Sequence, residues 1–403
     1  MIFNLQASIE LTCRSPFPSS DWHSIEGSKN VINRKKVMVV FGTRPEAIKM
    51  APVIRALRQK DSILCQVTVT AQHREMLDQV LNLFKIIPDF DLNLMKQGQT
   101  LTEITTRALS GLTEVYQREL PDLVLVHGDT STTFVAALAA FYAQIPVGHV
   151  EAGLRTGNKY SPFPEEMNRK LAGVLTDFHF APTETAKRNL LSEGIASEQI
   201  FVTGNTVIDA LLTTVKPGYS FLDPHLQTIL RQEEKSRMIL VTTHRRENLG
   251  EPMRQIYQAL KSTLELFPDT YIIFPVHKNP KVRKVVTEVL GDHPRVNLIE
   301  PLDYEPFVNL MARSYVILTD SGGIQEEAPS LGIPVLVVRD TTERPEAVAA
   351  GTVSLVGTDY ERVFLELKRL LSDQNAYQKM ATATNPYGDG CAAERIAKII
   401  ESK

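Results

Sequence analysis

The sequence predicts an α/β protein built from two doubly wound domains, and three observations carry that prediction. Short apolar, β-branched runs alternate with amphipathic stretches, the pattern of parallel strands wrapped by helices. The runs fall into two series, separated by a turn-rich, proline-containing segment at 216–224. With 403 residues, 43% of them hydrophobic, the chain can bury two sizeable cores.

Taken in order, the first series is VMVVF at 37–41, QVTVTA at 66–71, DLVLVH at 122–127, IPVGHV at 145–150 and HFAP near 179. The second is MILVTT at 238–243, YIIFPVH at 271–277, VNLIE at 296–300, YVILTD at 315–320 and IPVLVV at 333–338. We place the first domain at 35–204 and the second at 205–388. The closing CAAERIAKIIESK, about 389–403, reads as a helix that can cross back onto the first domain. The longest apolar stretch, at 134–143, is too short to span a bilayer and reads as a buried core helix, so no membrane span is expected. Residues 1–34 lack a basic n-region and a continuous apolar h-region; they do not read as a secretory signal and are expected to form a disordered extension.

A formal net charge of −3 and a pI near 6.3 give no general electrostatic reason to bind nucleic acid or an acidic membrane. Cys13, Cys65 and Cys391 are far apart and lack CxxC spacing, which suits reduced thiols and a cytoplasmic location better than a disulfide framework.

Ligands in open α/β sheets bind beyond the carboxyl ends of strands, so polar residues directly after an apolar run are the candidates. They recur here as Gly42-Thr43-Arg44-Pro45-Glu46, His127-Gly128-Asp129, Glu151-Ala152-Gly153-Leu154-Arg155, Thr243-His244-Arg245-Arg246-Glu247 and Asp320-Ser321-Gly322-Gly323. The paired glycines opening a helix expose backbone N–H groups to which a diphosphate can bind, making Ser321, Gly322 and Gly323 the expected cradle. Glu326 and Glu327 lie about 100° apart on that helix, so one should face the cleft. We assign Glu327, as acceptor for ribose hydroxyls; the plainer reading is that both complement the helix N-terminus. Thr43 and Glu46 have capping-box spacing, so Glu46 reads as structural. Arg44 and Lys49 can offer positive charge to phosphates, or can be solvated surface cations.

Asp129, Glu151, Glu165 and Glu166 supply carboxylates for proton transfer, and His244 a group titrating near neutrality. Against this, Asp129 could cap the following helix, as could Ser131 or Thr132, and His244 could be a hydrogen-bonded core residue. No GxGxxG, GxxxxGK[ST] or HExxH motif occurs, so no cofactor and no metal is expected. Asp89-Phe90-Asp91 has the spacing of a sugar-nucleotide metal motif but no strand leads into it, and it reads as a solvated loop.

Together, FGTRPEAIKMAPV, TAQHREMLDQVL, VLVHGDTSTT, VGHVEAGLRTG, SPFPEEMNR, GNTVIDAL, HRREN and LTDSGGIQEEAPSLGIPVLVVRDTTERPEAV closely resemble the non-hydrolysing UDP-N-acetylglucosamine 2-epimerases, from Val37 to the C-terminus. The resemblance implies a GT-B-like pair of Rossmann-type domains with the active site in the cleft between them, and a homodimer; the charge and hydropathy above give no nucleic-acid or membrane partner. It implies reversible conversion of UDP-GlcNAc to UDP-ManNAc by elimination and re-addition of UDP through 2-acetamidoglucal, supplying ManNAc for surface polysaccharide.

It also implies residue roles. Arg44, Lys49, Asp129, Glu151, His244, Phe307, Ser321, Gly322, Gly323, Glu327 and Arg344 match substrate-contacting positions, and Leu302 matches one that meets the uracil through its backbone. Asp129, Glu151 and Glu165 match the catalytic acids, with His244 beside the departing diphosphate and Arg169 in support. Gln72 and His73 match an activator site. Rival readings are a hydrolysing 2-epimerase, a GT-B glycosyltransferase and a catalytically silent nucleotide-sugar sensor.

Overall fold

The computed structural model describes residues 34–71, 74–94 and 98–403; the expectation for residues 1–33, like that for Gln72 and His73, lies outside the described residues. Seven strands form the first sheet: β1 (Lys35–Phe41), β2 (Ile63–Val69), β3 (Phe90–Asp91), β4 (Leu123–His127), β5 (Val147–Val150), β6 (Phe178–Ala181) and β7 (Ile200–Val202). Six form the second: β8 (Arg237–Thr242), β9 (Thr270–Pro275), β10 (Val296–Ile299), β11 (Val316–Thr319), β12 (Val335–Val337) and β13 (Val353–Leu355). Their orders are β3-β2-β1-β4-β5-β6-β7 and β10-β9-β8-β11-β12-β13, parallel throughout. The molecule is thus α/β and GT-B-like, with two doubly wound halves.

Every apolar run became a strand. β3, β7 and β13 had no anticipated run, because strands of two or three residues at or beside a sheet edge carry no legible period. The Asp89-Phe90-Asp91 reading is corrected accordingly: Phe90 and Asp91 pair with Thr68 and Val69 as an edge strand. Asp89 accepts a hydrogen bond from the Val67 N–H, and Asp91 pairs with Arg74.

Because β-branched residues alternate across β1, Val37, Val39 and Phe41 join one core while Met38 and Val40 join another on the opposite face. The apolar stretch at 134–143 lies in the helix Ser131–Tyr142, whose Val135 to Ala140 face is largely buried while Phe141 and Tyr142 stay exposed. Ala393, Ile396, Ala397 and Ile400 of the C-terminal helix Ala392–Ser402 pack into the core of the first sheet, with Met50 and Val53. The first turn of that helix rests on Asp209, whose carboxylate accepts the N–H groups of Ala392 and Ala393.

Each sheet reverses its order once, between β1 and β4 and between β8 and β11. Those reversals open crevices beyond the strand ends, which makes the residues after these strands and their neighbours the candidates for a site. The segment after β7 meets the segment that leads into the C-terminal helix, where the Asn205 N–H donates to Tyr387 O at 2.7 Å. Gly204 and Gly388 face each other there with φ of +91° and +132°, and a Cβ on either would lie 3.4 Å from the other's Cα. The positive φ at each position selects glycine, while the 3.4 Å approach is an ordinary contact.

Candidate active site

After β1 the chain turns at Gly42, where a Cβ would lie only 2.2 Å from Thr70 Oγ1 and 2.5 Å from Thr132 Oγ1. The helix Arg44–Arg58 follows, closed by the capping box. Glu46 accepts from the N–H groups of Gly42 and Thr43 at 3.1 and 2.8 Å, and from Thr130 Oγ1 at 2.7 Å. It is structural, and it ties the turn after β1 to the turn after β4. The same helix presents Arg44 and Lys49.

Beyond β4, Thr130 caps the helix Ser131–Tyr142 by accepting from the Thr133 N–H. Asp129 is therefore not the cap, and its carboxylate instead pairs with Arg169. Arg169 also lies 3.3 Å from the fully buried Glu166, which accepts the N–H groups of Thr156 and Gly157 at 3.1 Å each. Glu166 thereby holds the loop after β5 to the helix Glu165–Val174. Glu165 opens that helix and is half-buried, and its side chain makes no hydrogen bond or ion pair among the described residues.

Glu151 follows β5 with φ +65°, a left-handed conformation that a non-glycine residue adopts only when its surroundings fix it. Its Oε2 pairs with Lys49 Nζ and lies 3.4 Å from His127 Nε2. Burial alone would raise the Glu151 pKa, but Lys49 and then His127 outweigh it and hold the group well below the ordinary carboxylate range. Lys49 likewise rises above the ordinary lysine value, because Glu151 and Glu326 outweigh its own desolvation.

From the second sheet, Asp320 at the end of β11 is fully buried. Its Oδ2 accepts the N–H groups of His244 and Arg245 at 2.9 Å, and its Oδ1 lies 3.0 Å from His244 Nδ1. Burial would raise Asp320, yet His244 and these N–H groups keep it below the ordinary value. His244 is not a core residue; its side chain is 40% exposed, and the partner on Nδ1 leaves Nε2 for a ligand.

Ser321 precedes the short helix Gly322–Glu327 without closing it by its side chain. Arg344 lies over that N-terminus, its guanidinium 3.9 Å from where a Gly322 Cβ would stand. The two glutamates divide the environment between them. Glu326, rather than Glu327 alone, meets the cleft residues: it pairs with Arg344, lies 4.0 Å from Lys49 and accepts from Asn205 Nδ2 at 3.2 Å. Glu327 accepts from Tyr304 Oη at 3.1 Å, and burial pushes it up to about 7. Their 100° separation exposes neither, because this helix is covered on both sides.

A cavity of about 520 Å³ draws on both halves, with Arg44, Val80 and Leu83 on one side and Leu302, Tyr304 and Phe221 on the other. Phe307 packs beside Leu302 in the same core. Sequence reasoning placed His127 and Asp320 in candidate segments and weighed Glu326 against Glu327 without giving any of the three a role, and it missed Tyr304. Asp320 was legible as the last polar residue of YVILTD, and His127 as the first of HGD; Glu326 and Tyr304 become visible only when elements meet.

Among the described residues no helix is long and apolar enough to cross a membrane. The family model for UDP-N-acetylglucosamine 2-epimerase matches residues 55–401. The UDP-N-acetylglucosamine 2-epimerase of Bacillus subtilis (strain 168) is 59% identical over 367 residues, covering 91% of this chain and 95% of the relative. That of Escherichia coli (strain K12) is 56% identical over 380 residues, covering 91% and 98%. A crystal structure of the Neisseria meningitidis UDP-GlcNAc 2-epimerase bound to UDP-GlcNAc superimposes with a TM-score of 0.79 at 54% identity, covering 91% of this chain and all of that one.

Proposed function

The chain belongs to the UDP-N-acetylglucosamine 2-epimerase family, and from that premise we propose that it interconverts UDP-GlcNAc and UDP-ManNAc without releasing free sugar, by eliminating and re-adding UDP. The C2–H of an N-acetylhexosamine is not adjacent to a carbonyl and is hardly acidic. Loosening the C1–O bond places developing positive charge at C1 and acidifies that proton, so stabilising the departing diphosphate is the central task.

The observation that carries this reading is the meeting, in one cleft, of two kinds of group. Lys49 and Arg344 converge from opposite halves on Glu326, Arg344 also lying over Gly322, and Lys49 pairs at the same time with the carboxylate of Glu151 at the end of β5. In this reading Arg44, Lys49, Arg344 and the 321–323 N–H groups receive the diphosphate, and His244, oriented by Asp320, stands beside it. Glu327 accepts ribose hydroxyls, while Leu302 and Phe307 meet the base. One carboxylate among Asp129, Glu151 and Glu165 removes the C2 proton and another returns one from the opposite face. Arg169 positions Asp129.

We take the domains to divide near the crossing at 204–205, the site to close over the intermediate, and the enzyme to act in the cytoplasm in supply of ManNAc for surface polysaccharide. A homodimer fits the exposed Phe141, Tyr142, Leu171 and Val174, which lie near the C-terminal ends of neighbouring helices. Product analysis of pure protein with UDP-GlcNAc tests the reading: UDP-ManNAc is expected. Free ManNAc with UDP would mark a hydrolysing enzyme instead, and sugar transferred to an acceptor would mark a glycosyltransferase.

A further inference from the structure

β4 and β5 exchange buttresses. The histidine of each strand reaches the neighbouring strand's functional loop: His149 Nε2 donates to Gly128 O at 2.7 Å, behind Asp129, and His127 Nε2 lies 3.4 Å from Glu151 Oε2. The two contacts differ in kind. A carbonyl can only accept, so His149 is an Nε2–H tautomer, and burial drives its pKa down to about 3, keeping it neutral. His127 is 4% exposed, yet neither of its ring nitrogens makes a hydrogen bond in this state. Buried polar atoms are rarely left so.

His179, on the next strand, is paired in register with His149 and is fully buried, which extends the row across three strands. This row is not a metal-ligand set, because among the described residues no group of three or more His, Cys, Asp or Glu is arranged to hold a metal ion. The orphaned Nε2 of His127 needs another reason.

Glu151 supplies it. One carboxylate oxygen has two neighbours, and Lys49 is the one with a competing attraction, since its Nζ already lies 4.0 Å from Glu326 across the cleft. Resting on the function proposed above, we propose that His127 is a positioning residue that takes over the Glu151 carboxylate when Lys49 turns to the diphosphate. Lys49 masks the carboxylate before substrate arrives. Once Lys49 is drawn away, a small shift of Oε2 closes the 3.4 Å gap to His127, which orients the carboxylate while it handles the C2 proton. The left-handed backbone at Glu151 fixes where that side chain starts, so the hand-over needs only a side-chain movement.

The groups facing Glu151 are Lys49 from the helix Arg44–Arg58, His127 from β4 and, across the cleft, Glu326 and Arg344. With Lys49 engaged elsewhere, His127 becomes the nearest donor that keeps Glu151 ionised, and the pH profile should report it. In His127→Phe we expect kcat to fall by about ten- to a hundredfold with KM little changed, and the acidic limb of the kcat profile to move upward by roughly half a unit or more. His127→Gln, whose amide can still donate, should recover most of the rate and return the limb. A merely structural histidine would affect folding and leave the limb in place, so unshifted limbs in both variants would overturn the proposal.

A second measurement holds whether or not the protein turns over UDP-GlcNAc. In the full chain labelled with ¹⁵N-histidine and saturated with UDP, Glu151→Gln should displace the His127 ring resonances and leave those of His149 in place. Unmoved His127 resonances would sink the proposal. Wild-type protein without turnover but with the displacement would sink the functional reading alone.

Discussion

Lys49 ties one carboxylate from each sheet, pairing with Glu151 and approaching Glu326, and a half-buried cation so placed makes the charge state of the cleft a property of both halves. The acidic residues differ in what holds them. Asp129 is held by Arg169, Glu151 by Lys49 with His127 behind it, and Glu165 by nothing among the described residues. Asp129→Asn, Glu151→Gln and Glu165→Gln should each lower turnover by roughly 10²-fold or more, in line with general acid–base contributions. Near-normal steady-state rates in any one would remove that residue from the proton transfers. Much at this scale was legible: Asp129 and Glu151 stand directly after apolar runs, where a parallel sheet delivers side chains to a crevice. The capping of Ser131–Tyr142 was not, because the caps the sequence offered were Asp129, Ser131 and Thr132, and only the backbone decides that the equally competent Thr130 takes the role.

Among the elements, the C-terminal helix Ala392–Ser402 shows how a distant segment is held. Its apolar face, spaced as Ala393, Ile396, Ala397 and Ile400, buries against the first sheet's core, and its start rests on Asp209. Burial raises Asp209 from 3.8 to about 6, more than the two N–H donors can lower it. The sign follows from proton binding: between those two values the folded chain holds a proton that the unfolded chain releases, so stability falls as pH rises through that window. The whole effect is at most about 3 kcal/mol. Asp209→Asn should flatten this slope, so that the variant gains on the wild type as pH rises from 4 to 7 in urea unfolding; parallel curves would show that Asp209 does not titrate in this way. The helix itself was readable from its period. Its crossing back onto the first domain was an expectation as well, though nothing in CAAERIAKIIESK itself says which core receives it. The edge strands β3, β7 and β13 escaped for a related reason: pairing with a neighbour creates them, and their own residues carry too little pattern.

At the scale of the molecule, the two halves were legible because each supplies a full series of apolar runs, and the crevice followed from the order reversals that parallel sheets impose. The network that joins the halves was not, because Lys49, Glu326, Arg344 and Asn205 meet only after both sheets are formed. Gly204 and Gly388 lie against each other where the segment after β7 meets the segment before the C-terminal helix. If they serve as a hinge for closure over the intermediate, the radius of gyration in solution scattering should fall when UDP-GlcNAc saturates the protein. Curves that superimpose with and without it would count against closure.

The central claim is chemical: the nucleotide departs and the sugar carbon is reprotonated from its other face. The most direct measurement is NMR of the nucleotide sugars after incubation of the pure protein with UDP-GlcNAc in D₂O. The mechanism predicts deuterium at C2 of newly formed UDP-ManNAc and its progressive entry into the remaining UDP-GlcNAc. UDP-ManNAc carrying its original hydrogen at C2 would contradict it.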